Sequence, residues 1–213
     1  MDFKKFLRRF VPQFIKDYRK QQYFEKLYTE WQAAGCPVPP PHIVKQKTIQ
    51  RFHELFPYDL FIETGTFLGD MVDMQKKRFK KIISIELQHE LFVNAKNRFK
   101  KYPGITILEG DSGKVLNKIM PEINDPAIFW LDGHYSGFET ARGDKDCPIY
   151  EELAAIFSGK ELSHVILIDD ARCFTGEGDY PKVEALASYI KSKDEQYHIE
   201  VIHDIICCHK VNK

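Results

Sequence analysis

Acidic residues in this chain recur directly after short apolar runs, a placement that can bring several carboxylates to one ligand. Glu63 follows the run 58–62 and opens the segment Glu63-Thr64-Gly65-Thr66-Phe67-Leu68-Gly69-Asp70. Gly65 permits a tight turn and close backbone approach to a ligand, and Gly69 relieves crowding where a helix begins. Glu86 closes the run 82–85, about twenty residues beyond the glycine loop, where an acid can hydrogen-bond ribose hydroxyls. Gly110-Asp111-Ser112-Gly113 follows 105–108; Asp111 can accept from an adenine amino group and Ser112 can cap the next helix. Asp132-Gly133-His134-Tyr135 follows 128–131, and Asp169-Asp170 follows 165–168.

The last two positions speak to reactivity. Three carboxylates at one edge repel one another unless a cation or protons intervene, and an oxygen-rich, partly hydrated site of this kind suits Mg²⁺. The alternative is that one aspartate caps a helix while another meets a ligand directly. His134 is the candidate general base, since imidazole titrates near neutrality. The segment 136–147 is long and polar, as lids and substrate clamps are. Tyr135, Arg142 and Arg172 are candidates to meet substrate, the two arginines through an anionic group.

These residues need a scaffold that carries strand ends to one edge. From about His42 onward, helical and apolar β-branched stretches alternate, which predicts helices at 42–56, 71–79, 90–101, 114–120, 150–157 and 181–191. Strands are expected at 58–62, 82–85, 105–108, 128–131 and 165–168, with a closing pair at 198–203 and 205–209 hinged at Asp204. Five short apolar strands separated by helices imply a parallel, doubly wound α/β sheet buried on both faces. The last two lie too close for a crossover helix, so they form an antiparallel hairpin.

Residues 1–41 form a separate region. Phe3, Phe6, Phe10, Phe14 and Tyr18 recur at helical spacing, Pro12 divides a short helix from a longer one, and Pro37 to Pro41 is an extended connector. Basic residues outnumber acidic ones here, so packing on the domain, homodimerisation and peripheral membrane contact all stand open. Residues 42–213 make the second region, the α/β domain.

Over all 213 residues, Lys+Arg and Asp+Glu both number 31, which argues against a nucleic-acid partner. The 5 cysteines show no CxxC pair or zinc spacing and read as free thiols of a reducing compartment. No apolar stretch resembles a signal peptide or a membrane span, and the expected location is cytoplasmic.

In order and spacing, ETGTFLGD, IISIE, ILEGDS, IFWLDGHYS and ILIDDAR resemble the motifs of class I S-adenosylmethionine (SAM)-dependent methyltransferases, from about Thr48 to the end. The resemblance implies a Rossmann-like seven-stranded sheet. It places Glu63, Gly65, Thr66 and Gly69 around the methionine part of SAM, Glu86 on the ribose, and Asp111, Ser112 and Asp132 near the rest of the cofactor. The acid after the fourth strand and the pair after the fifth look like the metal site of catechol- and macrocin-type O-methyltransferases, with Asp132, Asp169 and Asp170 as ligands and Asp132 and His134 as catalytic groups. The run LDGHYSGFETA resembles bacterial methyltransferases of glycan or natural-product synthesis, which implies a sugar or small-molecule hydroxyl as acceptor. Two other readings compete. An NAD-type oxidoreductase is disfavoured because Thr66, Phe67 and Leu68 interrupt a GxGxxG pattern. A non-catalytic SAM- or nucleotide-binding module is disfavoured by the three aspartates.

Overall fold

The structure is a computed structural model that describes residues 12–133 and 147–210. In chain order it runs α1 (Gln13–Ala33), α2 (His42–Leu55), β1 (Leu60–Thr64), α3 (Asp70–Gln75), β2 (Lys81–Glu86), α4 (His89–Phe99), β3 (Ile105–Glu109) and α5 (Ser112–Ile119). It continues through β4 (Ala127–Leu131), α6 (Ile149–Ser158), β5 (Val165–Ile168), α7 (Val183–Lys193), β6 (Tyr197–Ile202) and β7 (Ile205–Lys210).

The strands form one 7-stranded sheet in the order β3-β2-β1-β4-β5-β7-β6. β1 to β5 pair in parallel, and β7 joins β5 antiparallel. β6 closes the edge as the antiparallel partner of β7. The expected doubly wound sheet with a terminal hairpin is present. His203 and Asp204, the two residues between β6 and β7, both have positive φ, as a tight hairpin turn with the sheet's own twist requires.

Alternation along the central strands supplies both faces. Phe129 and Leu131 of β4 join Ile62, Ile166 and Leu153 in a core beneath α5, α6 and α7. Ile128 and Trp130 join Phe61, Leu167 and Phe52 beneath α2, α3 and α4. Burying each such side chain stabilises the fold by about 1.5–3 kcal/mol, so the middle of the sheet is a stiff platform for its strand ends.

β1 starts later than the sequence pattern indicates. Its register with β2 and β4 runs from Leu60 to Thr64, so Glu63 and Thr64 lie inside the strand rather than after it. A buried strand tolerates Glu63 because Ser84 on β2 donates to its carboxyl across the pair. α3 ends at Gln75, short of the expected Phe79.

Helix α1 docks through Trp31, Phe24, Leu27 and Tyr28 onto Ile43 and Val44 of α2. The Trp31 indole donates to the Pro37 carbonyl at 2.8 Å, and its ring meets His203 at the hairpin tip, 4.8 Å between centroids. Among the described residues no helix is long and apolar enough to cross a membrane.

Candidate functional site

The chain leaves β1 toward β2 on one side and later returns to place β4 on the other, so strand order reverses between β1 and β4. Ligands of open α/β sheets bind outside the strand ends at such a point. Gly65 turns the chain there with φ +82, and a Cβ on it would lie 2.3 Å from the Asp132 carbonyl oxygen. Only glycine fits both constraints. Gly69 (φ +78) similarly abuts the Phe99 ring, 2.7 Å from where its Cβ would be.

Between them, Phe67 stands at φ +47, a left-handed backbone that a bulky residue adopts at a cost of about 1–2 kcal/mol. Glu86 offsets part of this. Its Oε2 accepts the Phe67 N–H at 2.7 Å and its Oε1 accepts the Gln88 N–H at 2.8 Å, so the acid at the end of β2 holds the glycine loop in shape. Thr66 is buried, its hydroxyl 2.6 Å from that of Ser84, which in turn lies 2.5 Å from Glu63 Oε2. The loop that starts at Gly65 is thus tied to β2 by two acids and two hydroxyls.

Burial pushes the Glu63 carboxyl up to about 8; the Ser84 hydrogen bond opposes this, and the nearby Asp132 and Glu86 reinforce it. The folded protein therefore keeps a proton on Glu63 that the unfolded chain releases above about pH 4.5. This group's contribution to stability falls as pH rises from about 4.5 to 8, by up to about 1.4 kcal/mol per pH unit, and is flat above that window. Glu63→Gln removes the titration, so the melting temperature of the variant relative to wild type should climb between pH 5 and 8. Parallel melting curves across that range would show that Glu63 ionises normally.

Asp111 takes the cap that the sequence suggests for Ser112. Its backbone is extended and its Oδ1 accepts the Lys114 N–H at 3.0 Å, while Ser112 is the first residue of α5 itself. Ser112 then sits under Gly133, with Thr64 and Glu152: a Cβ on Gly133 would lie 2.8 Å from Glu152 Oε1, 3.1 Å from Thr64 Oγ1 and 3.3 Å from Ser112 Oγ. Glu152, buried on α6, is a site neighbour the sequence reading missed.

The three aspartates do converge. Asp132, Asp169 and Asp170 each bring a carboxylate oxygen within 4.8 Å of the others, at the ends of β4 and β5. Asp169 is fully buried, and its Oδ1 accepts the Asp170 N–H at 2.8 Å. Asp170 has a left-handed backbone (φ 56, ψ 48), a conformation aspartate tolerates, which turns its carboxylate back toward Asp169.

Two cations meet the cluster. Lys45, near the start of α2, bonds Asp169 Oδ2 and lies 3.5 Å from Asp170 Oδ1. Arg172 bonds Asp170 at 2.7 Å and also Asp204 of the hairpin turn, so the candidate substrate arginine is engaged in an internal ion pair network. Burial lowers the Lys45 ammonium's pKa, and Asp169, Asp132 and Asp170 together more than offset it, so it lies above the ordinary lysine value. Burial and the Asp132 charge push Asp169 above the usual carboxylate range, with Lys45 pulling against them.

Lys45 was not anticipated, although the sequence held a signal. Lys45, Ile49 and Phe52 share one face of α2, and the last two are core residues, so a lysine heading that stripe needs an acidic partner. His134, Tyr135 and Arg142 lie outside the described residues.

No protein-family model matches the chain. Over 62 residues it is 36% identical to a protein of Methanosarcina acetivorans described as a probable ribosomal RNA small subunit methyltransferase A, a stretch spanning 29% of this chain and 23% of that protein. A protein of the same description from Methanosarcina barkeri is 39% identical over 62 residues, 22% of its length. The matched stretch thus spans less than a quarter of these curated relatives. Solved structures align far more extensively. The O-methyltransferase TomG from Streptomyces achromogenes, in complex with SAM, superposes with a TM-score of 0.58 over 89% of each chain at 13% identity. The O-methyltransferase from Bacillus cereus, in complex with SAH, gives 0.56 over 88% of this chain and 90% of that one at 14% identity. The SAH-bound Podospora anserina methyltransferase PaMTH1 gives 0.56 over 95% and 98%, also at 14% identity. The strand order, the glycine turn at its switch point and these superpositions lead to one conclusion: the chain has the Rossmann-like fold of the class I SAM-dependent methyltransferases.

Proposed function

We propose that the protein is a cytoplasmic SAM-dependent methyltransferase that methylates a hydroxyl of a small molecule or sugar. The observation that carries this reading is the convergence of Asp132, Asp169 and Asp170 beside the Gly65 turn. One strand edge then offers both a cofactor cradle and a charged acceptor site. The O-methyltransferases of similar fold, two of them bound to SAM or SAH, support it.

In this account the turn at Gly65 admits the methionine end of SAM, Glu86 takes the ribose and Asp111 faces the adenine. The acceptor hydroxyl sits at the aspartate cluster. His134 takes the hydroxyl proton as the new O–CH₃ bond forms and the S–CH₃ bond breaks, and SAH departs uncharged at sulfur. Holding the acceptor oxygen in line with the methyl group supplies most of the acceleration, because the sulfonium is already activated.

The donor set fits Mg²⁺ in chemistry and spacing: three hard carboxylate oxygens lie close together in a partly open site. Bound there, the ion would supply a position that acidifies the acceptor hydroxyl. The Lys45 ammonium bonds two of the same three carboxylates, so lysine and metal compete for them. Lys45→Met should therefore bind Mg²⁺ at least about 10-fold more tightly than wild type, a difference of ~1.4 kcal/mol in calorimetry. Equal or weaker binding by the folded variant would show that the two cations do not share a site.

The function itself is tested by following conversion of SAM to SAH with a panel of sugar and phenolic hydroxyl acceptors, with Mg²⁺ or with a chelator. Acceptor-dependent SAH formation at an oxygen supports the assignment. Methyl transfer to amines alone, or to RNA, would replace the proposed acceptor class.

A further inference from the structure

A second cluster of ligand-type side chains lies away from the strand ends, on the outer hairpin. His198 and Glu200 alternate along β6 and so project from the same face of the edge strand. His209 of β7 is the direct cross-strand partner of His198. One ligand atom from each of the three falls within 4.8 Å of the others. We propose that His198, Glu200 and His209 form a Zn²⁺ site that clamps the edge strand to its neighbour.

The chemistry of the set favours zinc over the hard cations suited to the aspartate cluster. Two imidazoles and one carboxylate match the His₂Glu donor sets of zinc, whereas Mg²⁺ prefers all-oxygen ligands. His209 is already oriented for the task. Its Nδ1 lies 3.2 Å from the Lys210 carbonyl oxygen, and a carbonyl only accepts, so Nδ1 carries the proton and Nε2 presents its lone pair. That Nε2 is 4.0 Å from Glu200 Oε1. Two ligands on a tetrahedral zinc sit about 3.4 Å apart, so closing a set whose atoms lie within 4.8 Å asks the side chains to approach by at most about 1.4 Å. Phe52 of α2 and Phe56, just past its end, hold the His209 ring from the core side, at 5.5 and 5.3 Å between centroids. His198 faces solvent, which gives the ion a route in. Three protein ligands leave one tetrahedral position for water.

The position gives such an ion a structural role. Among the described residues β6 pairs only with β7, so a bond from β6 to β7 through the ion resists fraying of the strand. The hairpin turn also bonds Arg172, which holds Asp170, so a steadier hairpin steadies the wall of the aspartate cluster.

The test is calorimetric titration of the full chain, carrying no histidine tag, with ZnCl₂, alongside thermal melts with and without the metal. One Zn²⁺ per chain is expected, together with a raised melting temperature. His198→Ala and Glu200→Gln, both at accessible positions that leave the core intact, should each weaken binding by more than the roughly 10-fold that even supporting-residue changes cost metal sites. Asp169→Asn should bind zinc as wild type does. Absence of zinc binding by folded wild-type protein would overturn the proposal. So would binding that survives in both hairpin variants and is lost in Asp169→Asn, since the ion would then sit at the aspartate cluster.

Discussion

Asp170→Asn should lower methyl transfer by about 10²–10³-fold while leaving SAM affinity unchanged. Asparagine tolerates the left-handed backbone at this position as aspartate does, so the turn after β5 keeps its shape and only the charge is lost. That charge faces both Lys45 and Arg172. Without it, Lys45 keeps its bond to Asp169 and Arg172 its bond to Asp204, and on the proposed function the acceptor oxygen is held less firmly. The hydrogen bonds of Glu86, Ser84 and Thr66 that shape the Gly65 loop do not involve Asp170, so cofactor binding is the internal control. Single-turnover measurements at saturating SAM separate the two effects. Unchanged turnover would remove the aspartate cluster from the reaction; parallel loss of turnover and SAM binding would place Asp170 in the cofactor pocket instead.

Gly65→Ala should reduce SAM affinity by about 100-fold or more and destabilise the fold by several kcal/mol. A methyl group there meets the backbone carbonyl of Asp132 at 2.3 Å, and no rotamer change moves a carbonyl. Either the β1 turn or the β4 end must shift, and both border the site. Gly178→Ala is the matched control. Gly178 also has positive φ (+58), yet among the described residues nothing beyond its chain neighbours lies within 4 Å of where its Cβ would be, so this variant carries chiefly the left-handed backbone penalty of about 1–2 kcal/mol. The excess cost of the Gly65 change measures the close approach itself. Equal effects at the two glycines, with SAM binding intact, would mean that the turn yields without consequence.

Much of this architecture was legible because the two periodicities differ so clearly. Short β-branched runs such as Ile82-Ile83-Ser84-Ile85 alternate with helical stretches, and the acids that follow them fall at the strand ends the structure shows. Glu86, Asp111, Asp132, Asp169 and Asp170 stand at or just past strand ends, as their order in the sequence indicates. Charged residues inside elements were harder to see. Glu63 lies within a strand because its partner Ser84 is on another strand, a pairing that local sequence does not encode. Lys45 and Glu152 each interrupt the buried face of a helix: Glu152 falls among Ile149, Leu153 and Ile156 as Lys45 does beside Ile49 and Phe52. A charge on an apolar stripe is the mark both share, and each turned out to reach the strand ends. The network joining Arg172 to the hairpin turn could not be read at all, since Asp204 is brought to it only by the antiparallel return of β7.

Whether SAM binds across the Gly65 turn is decided by calorimetric titration of the purified chain with SAM, SAH and NAD. Micromolar binding of SAM and SAH, no binding of NAD, and loss of both cofactor forms in Gly65→Ala are expected. Folded protein that binds neither SAM nor SAH would contradict binding at this turn.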